Sequence, residues 1–445
     1  MEEQRNDNQR IEAPQYQNIQ FIGLCLSTTP GDLKSIEGTS DDGRYLGVPN
    51  MESDIKARIN IATMLFSHAY SEIKKDKTTL NVFVLPEFFF RGNTGAYLRS
   101  KKETPYQFFE TGFKQLTNFM KNADYENCLL VAGSVLSSAI VYNANEKTEP
   151  GKSLCITGDS LLNVYYRLHP ELKEGTEGGN HPSMHELLKM IDQGTSEDLD
   201  KVPNEDSTFG DVLKRTLNNC DTATDIVVDN SAYVIFGGKN APAPKRIQKK
   251  YKSKEDFVLN RYFTDNATTF RTGYLQSNTK YDPIKDETEI KKDASDAHAI
   301  FYYGGIWFGI DICLDHSRQR LADELKRNTS HFVDVQIITS CGMEIKEKAV
   351  TAKQGNWVFN CDGEYVLDKP GKGVNGSKCH TSLRKVTQQL TVDNIGNVTQ
   401  VAALSNAEET VFAKTYTTSA EFYPTGVGHV HIYAPHPVHE PVIQK

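Results

Sequence analysis

The chain has 445 residues, 38% hydrophobic and 24% charged, with a formal net charge of −8. That is ordinary for a globular protein, and no basic stripe dominates any domain-sized segment, which argues against nucleic acid as the main partner. No apolar run reaches the roughly 18 residues that would span a bilayer. The polar start MEEQRNDNQRIEAPQYQ has no apolar stretch of the secretory kind, and the eight cysteines form no CxxC pair, so a reduced, cytoplasmic setting is expected.

Residues 1–17 read as a flexible leader, and QNIQFIGLCLST (18–28) as the first strand. SDIKARINIATMLFSHAYSEIKK (53–75) has helical apolar spacing with Ser53 as its N-cap. LNVFVLPEFFF (80–90) is a strand apolar on both faces, TPYQFFETGFKQLTNFMKN (104–122) a second amphipathic helix, NCLLVAGSVLSS (127–138) a buried strand, and 153–168 more strand. About 170–224 is polar, charged and Gly-rich, with one helix candidate, HELLKMIDQ, and reads as an insertion. Strands return at TDIVVDNSAYVIFGG (224–238) and KRIQKKYKSKEDF (245–257), and a second polar insertion covers 260–296. FYYGGIWFGIDIC ends a buried strand at Cys313, and LDHSRQRLADELKR reads as a helix. DVQIITSCG (334–342) is a strand, 344–363 a helix running into a strand, and 385–445 a β-rich extension. Strands apolar on both faces with amphipathic helices between them require sheets covered by helices.

Three stretches bring a reactive group to the end of a buried strand. Glu87 is flanked by Phe88, Phe89 and Phe90; desolvation there raises a carboxyl pKa and suits it to proton transfer. The plainer reading is a strand-end acid paired with Arg91 or a backbone N–H. Lys249, Lys250, Lys252 and Lys254 cluster on the segment 245–257. Lys249, sharing a strand face with Ile247 and Tyr251, is the inward candidate; a solvated edge is the alternative for all four. Cys313 stands at a strand-to-helix junction, where amide N–H groups and a helix N-terminus favour the thiolate. A silent core cysteine is the alternative. Together the three groups compose one mechanism: thiolate attack, a glutamate that takes and returns the proton, and an ammonium that stabilises the tetrahedral oxyanion. It needs neither cofactor nor metal.

In that order, VFVLPEFFF, RIQKKYKSKEDF and FGIDICLDHSRQRL resemble the nitrilase, or carbon–nitrogen hydrolase, superfamily, with LLVAGSV, DNSAYVI and DVQIITS in support. The resemblance implies an α/β fold, a four-layer α-β-β-α sandwich over 18–384 with both insertions inside it, and the β-rich extension packing on the same domain. It implies Glu87, Lys249 and Cys313 as the catalytic triad, with the Leu314 N–H in the oxyanion hole. Asp315 and Arg318 stand where the family has an acid and an arginine after its cysteine. The lysine segment departs from the family: Ile247 replaces an aromatic and Lys252 an apolar residue, which leaves Lys250 as a rival to Lys249. Glu255 and Asp256 lie near the family's second glutamate. The activity implied is hydrolysis of a small-molecule amide through a thioester, in a homo-oligomer. Nitrile or carbamoyl-amide hydrolysis and acyl transfer on the same triad are alternatives, as is a catalytically silent interaction protein.

Several histidines invite other readings. His181 and His185 have helical metal-ligand spacing, and His429, His431, His436 and His439 gather in the tail. A chance pair and surface histidines, respectively, are the preferred readings. His316, three residues after Cys313, would make a Cys–His pair, but at a helix start it is expected to face solvent or the pocket mouth.

Overall fold

Strands apolar on both faces need cover on both sides, and in the computed structural model two sheets and their helices supply it. The structure describes residues 10–11, 15–28, 46–48, 50–92, 95–99, 103–142, 224–251, 256, 258–259, 273–274, 279–281, 299–327, 332–364, 380–388, 391–392, 398–423 and 426–438. The strand expected at 153–168, the expected insertion up to residue 223 with its helix and with His181 and His185, and most of 260–296 lie outside them.

The first part of the chain supplies β1 (Asn18–Leu26), α1 (Met51–Glu72), β2 (Thr79–Val84), α2 (Pro105–Gly112), α3 (Lys114–Met120), β3 (Cys128–Val131), β4 (Val135–Tyr142), β5 (Thr224–Phe236) and β6 (Lys245–Gln248). β1, β2 and β3 run parallel. β5 lies antiparallel to β3, β4 and β6. After 299 come β7 (Ile300–Tyr303), β8 (Ile306–Ile312), α4 (Leu314–Ser317), α5 (Arg320–Arg327), β9 (Val333–Ser340), β10 (Ala352–Asp362) and β11 (His380–Gln388). In this second sheet β8, β9 and β10 are parallel, with β7 and β11 antiparallel at their flanks. The tail adds β12 (Phe412–Thr417) and β13 (Val427–Ile432), which extend the first sheet, β13 antiparallel to β1 and β12 antiparallel to β13. The fold is thus mixed α/β, and no described helix is long and apolar enough to cross a membrane.

The two sheets pack face to face. Phe21 stacks on Phe359 with ring centroids 5.1 Å apart, and the Cys25 and Cys361 sulfurs are 3.7 Å apart. A Cβ on Gly23 would meet Thr381 Cγ2 at 2.2 Å, so this approach requires glycine. On the other face of the first sheet, Phe66 of α1 meets Phe83 of β2 at 4.0 Å, and Phe109 of α2 stacks on Tyr233 of β5 at 3.7 Å. Truncating such a buried aromatic to alanine costs about 3–5 kcal/mol.

Several expectations are corrected. α1 begins earlier, capped by Asn50, whose Oδ1 accepts from Ser53 N at 2.8 Å. The helix of 104–122 breaks at Phe113, whose ring is buried against Phe90 and Phe109. The strand of 127–138 is two strands, turned at Gly133 (φ 58°). The lysine strand stops at Gln248 rather than 257. The helix after Cys313 is broken at Gln319 (φ 59°). The helix before β10 is reduced to the 3₁₀ turn Glu347–Ala349, because side chains of other elements take its backbone groups: Gln336 Nε2 donates to Ala349 O (3.0 Å), and Thr351 N donates to Gln336 Oε1 (2.8 Å). Part of the expected leader is packed: Arg10–Ile11 pair with Tyr302 and Tyr303, and Tyr16 is buried.

Candidate active site

Pro86 has no N–H for a ladder, and after β2 the chain turns at once. Glu87 sits in that turn and is fully buried. The next residue, Phe88, has φ 58°; a non-glycine residue held there costs about 1–3 kcal/mol and persists only when its surroundings fix it. Two fixings are local: Phe88 N donates to Ser134 Oγ (2.9 Å) and Glu87 N to Ser340 O (3.3 Å). The β3–β4 turn also presses on this one, since a Cβ on Gly133 would lie 2.1 Å from Pro86 O.

Lys249 follows β6, and its N–H donates to Asn230 O of β5 (2.8 Å). Its ammonium is buried between two acids, donating to Glu87 Oε1 at 2.8 Å and to Asp256 Oδ2 and Oδ1 at 3.0 and 3.1 Å. Asn230 Nδ2 bridges the same acids, at 3.0 Å to Glu87 Oε1 and 2.6 Å to Asp256 Oδ1. Lys250 faces elsewhere: its Nζ lies over the Tyr251 ring, 5.3 Å from the centroid. Lys252, Lys254 and Glu255 lie outside the described residues.

Cys313 is delivered by β8 and has φ 47° and ψ −104°. Its N–H donates to Thr339 O (3.0 Å), and its Sγ faces Cys341 O at 3.8 Å. The Glu87 carboxyl and the Lys249 ammonium both lie close enough to that thiol to act on it electrostatically. Glu87, Lys249 and Cys313, each at the end of a different strand, thus meet in one place. Leu314 opens α4, and its N–H follows Cys313 directly.

The groups just behind these three residues are as closely fitted. Asp315 accepts from Lys250 N (3.0 Å), from Tyr251 N (2.7 Å) and from Arg320 NH1 (3.0 Å). Arg320 also donates to the Gln248 carbonyl. Asp315 and Arg320 therefore grip the backbone on both sides of Lys249. This corrects the expected arginine: Arg318 is exposed, and the break at Gln319 turns Arg320 back onto Asp315. His316 is corrected too. It is buried, with Nδ1 3.0 Å from Asp311 Oδ2 and Nε2 accepting from Lys346 N at 2.9 Å, so it ties the loop after Cys341 to β8. Because Nε2 accepts, the Nδ1 proton is directed at Asp311. Asp315→Ala is expected to cost about 3–5 kcal/mol by removing the nearer of the two carboxylates on buried Arg320, with Glu324 left at 3.8 Å, and the acceptor of the Lys250 and Tyr251 amides; chemical denaturation would read the loss, and a change below 1 kcal/mol would contradict the grip.

Burial pushes Glu87 up to about 7, opposed by the charge of Lys249 and assisted by Asp256. Desolvation alone would lower Lys249, but Asp256 and then Glu87 hold it well above the ordinary lysine range, so it stays an ammonium. Cys313 is raised well above an ordinary thiol, by burial first and then by the Glu87 charge. This corrects the expectation of a resident thiolate. α4 is a single turn of four residues and offers little dipole, and the Glu87 charge outweighs that of Lys249 at the thiol. The thiol keeps its proton at rest, and Glu87, poised near neutrality, is placed to take it.

Sequence reasoning missed Asn230 and left Asp256 unassigned. A signal was present: Asp229, Asn230 and Ser231 interrupt a strand otherwise apolar on both faces, and buried polar residues in such a strand need partners. Elsewhere, His429 and His431 meet the hydroxyls of Thr415 and Thr381 at 3.1 and 3.0 Å, and His436 packs on Trp357 at 4.0 Å. His439 lies outside the described residues. Among the described residues no group of three or more His, Cys, Asp or Glu could hold a metal ion.

No protein-family model matches the chain, and no curated protein matches it in sequence. Among solved structures it is similar to Nit3 of Saccharomyces cerevisiae, a member of branch 10 of the nitrilase superfamily, at 11% identity over 87% of this chain and 88% of that one, with a TM-score of 0.31. It is also similar to a carbon–nitrogen hydrolase from Helicobacter pylori G27 (11% identity, 95% and 90% covered, TM-score 0.30) and an amidase from Nesterenkonia sp. (7% identity, 94% and 92% covered, TM-score 0.26). Overlap this loose carries no argument about chemistry, which rests on the site itself.

Proposed function

We propose that the protein hydrolyses a non-peptide carbon–nitrogen bond, an amide, through a thioester on Cys313. The observation that carries this reading is the buried Lys249 ammonium shared by Glu87 and Asp256 at a site where Glu87 meets the Cys313 thiol. Burying a lysine with two acids costs desolvation energy that an apolar core would not incur, which weighs against a silent scaffold. On this reading α1–α3, the two sheets and α5 form the four layers of an α-β-β-α sandwich.

Glu87 accepts the thiol proton as Sγ bonds to the carbonyl carbon. Charge then builds on the carbonyl oxygen, where Lys249 Nζ and the Leu314 N–H act as donors. Glu87 passes its proton to the departing nitrogen, the C–N bond breaks, and ammonia or an amine leaves a thioester behind. Glu87 next deprotonates a water that attacks the thioester; the carboxylate leaves and the thiol is restored. Asp256 and Asn230 touch Glu87 or Lys249 and act through them, as positioning residues.

Thiol alkylation tests this reading without a known substrate. With iodoacetamide, Cys313 is expected to label faster as pH rises through about 7, the range in which Glu87 loses its proton. The sign follows from its role, since only the carboxylate can accept the thiol proton. Glu87→Gln should remove that inflection and leave only the ordinary thiol ionisation at higher pH. An unchanged profile in Glu87→Gln would refute Glu87 as the base.

A further inference from the structure

The Glu87 turn is held by more than the catalytic strands. The Phe89 carbonyl, two residues after Glu87, accepts from Tyr423 Oη at 3.1 Å and from Arg58 NH1 at 3.3 Å. Both donors are fully buried. Tyr423 belongs to the carboxyl-terminal segment, and its ring lies against Phe89 with centroids 5.2 Å apart. Arg58 belongs to α1 and is itself fixed: its Nε donates to Asp54 Oδ1 (2.7 Å), its NH1 to Phe422 O (3.4 Å) and its NH2 to Leu46 O (2.6 Å). Asp54 accepts in turn from Tyr97 Oη (2.6 Å) and Val48 N (2.9 Å). The Arg58 guanidinium also lies 5.3 and 5.0 Å from the Phe422 and Tyr423 ring centroids.

This contact matters because of where it acts. Phe88, between Glu87 and Phe89, has φ 58°. The hydrogen bonds of Glu87 N and Phe88 N fix the turn on its amide side; Tyr423 and Arg58 fix its carbonyl side. A backbone held in a sparsely populated conformation keeps it only where its surroundings over-determine it. Freeing the Phe89 carbonyl would let the Glu87 carboxyl drift from Lys249 and Cys313.

We propose that Tyr423, supported by Arg58, is a positioning residue for Glu87, so that the carboxyl-terminal segment forms part of the acid–base apparatus. The inference rests on the reading of Glu87 as the thiol's base. The ionisable and charged groups facing that carboxyl are Lys249, Asp256, Cys313 and Cys341; those around Tyr423 are Arg58, Arg91, Asp54 and Tyr97.

The test is the pH profile of Cys313 alkylation by iodoacetamide in the full chain, with peptide mapping of the adduct. Tyr423→Phe keeps the ring and removes the hydroxyl. It is expected to slow labelling at pH 7 by about tenfold or more and to move the inflection to higher pH, as a carboxyl farther from Lys249 holds its proton longer. Tyr233→Phe is the control for a merely structural loss, since the Tyr233 hydroxyl makes a buried bond of the same kind, to Pro105 O at 2.9 Å; its profile should match wild type. Arg58→Lys, which keeps a charge beside Asp54 and loses the guanidinium fork, should shift the inflection in the same direction, and it serves in place of Tyr423→Phe should that variant not fold. If Glu87→Gln changes the profile and neither Tyr423→Phe nor Arg58→Lys does, the positioning role is overturned and the base assignment stands. If Tyr233→Phe shifts the profile as much as Tyr423→Phe, the effect is general loosening and the proposal fails. If Glu87→Gln leaves the profile unchanged, the base assignment falls and the positioning role with it.

Discussion

Cys313→Ala is expected to abolish ammonia or amine release from every amide that the wild-type protein turns over, by on the order of 10⁴-fold or more. The expectation is large because the sulfur is the atom that bonds to carbon, and no neighbour can replace it. Cys341, whose carbonyl faces that sulfur at 3.8 Å, is itself raised well above an ordinary thiol by burial and by the Asp362 charge. The fold should survive: the substitution removes one sulfur from the end of β8, and alanine meets the same backbone demand at φ 47° that cysteine already meets. Release that persists in a folded Cys313→Ala variant would exclude the thioester route. A panel of amides, carbamoyl amides and nitriles, followed by ammonia assay, would make the measurement and narrow the substrate class together.

Lys249→Ala and Lys250→Ala should differ sharply although the residues are adjacent. Lys249→Ala removes the cation shared by Glu87 and Asp256, which leaves two buried carboxyls bridged only through Asn230. The expected rate loss is on the order of 10²-fold or more, as for the removal of one oxyanion donor. The loss should come with destabilisation of about 3–5 kcal/mol, the cost of breaking a buried ion pair from one side. Without the ammonium, Glu87 also loses the charge that opposes burial, so it should hold its proton to higher pH and any residual activity should shift the same way. Lys250→Ala keeps the amide that Asp315 accepts and removes only a half-buried amine over Tyr251, so activity and stability should stay near wild type. Comparable losses in the two variants would contradict the arrangement of this segment.

Glu87 and Cys313 were legible in the sequence because each ends a strand with a strong apolar signal, NVFVLP and IWFGIDI, whereas Lys249 follows the mostly polar KRIQ and was read from its alternation with Ile247 and Tyr251. Periodicity alone could not separate Lys249 from Lys250. A strand reading of 245–257 put Lys249 on one face by alternation, whereas the chain leaves the strand at Gln248, and burial of Lys249 depends on Asn230 O accepting its own amide and Asp315 accepting the two that follow. Arg320 displaced Arg318 for a similar reason. A helix through 314–327 has no break in its pattern, and the left-handed Gln319 turns Arg320 toward a partner, the Gln248 carbonyl, that is 72 residues away from it. The thiol pKa was misjudged because a junction was taken for a long helix start, when burial and a carboxylate outweigh four residues of helix. Tyr423 lies 334 residues from the carbonyl it meets, and nothing local distinguishes it from any other aromatic in a tail.

The central claim is that Cys313 carries the acyl group, and trapping that intermediate tests it most directly. Wild-type protein mixed with an amide found to release ammonia, quenched in acid within the first turnovers and mapped by mass spectrometry, should show the acyl mass on Cys313 and on no other cysteine. Continued ammonia release with an unmodified Cys313, or the adduct on Cys341 instead, would contradict it.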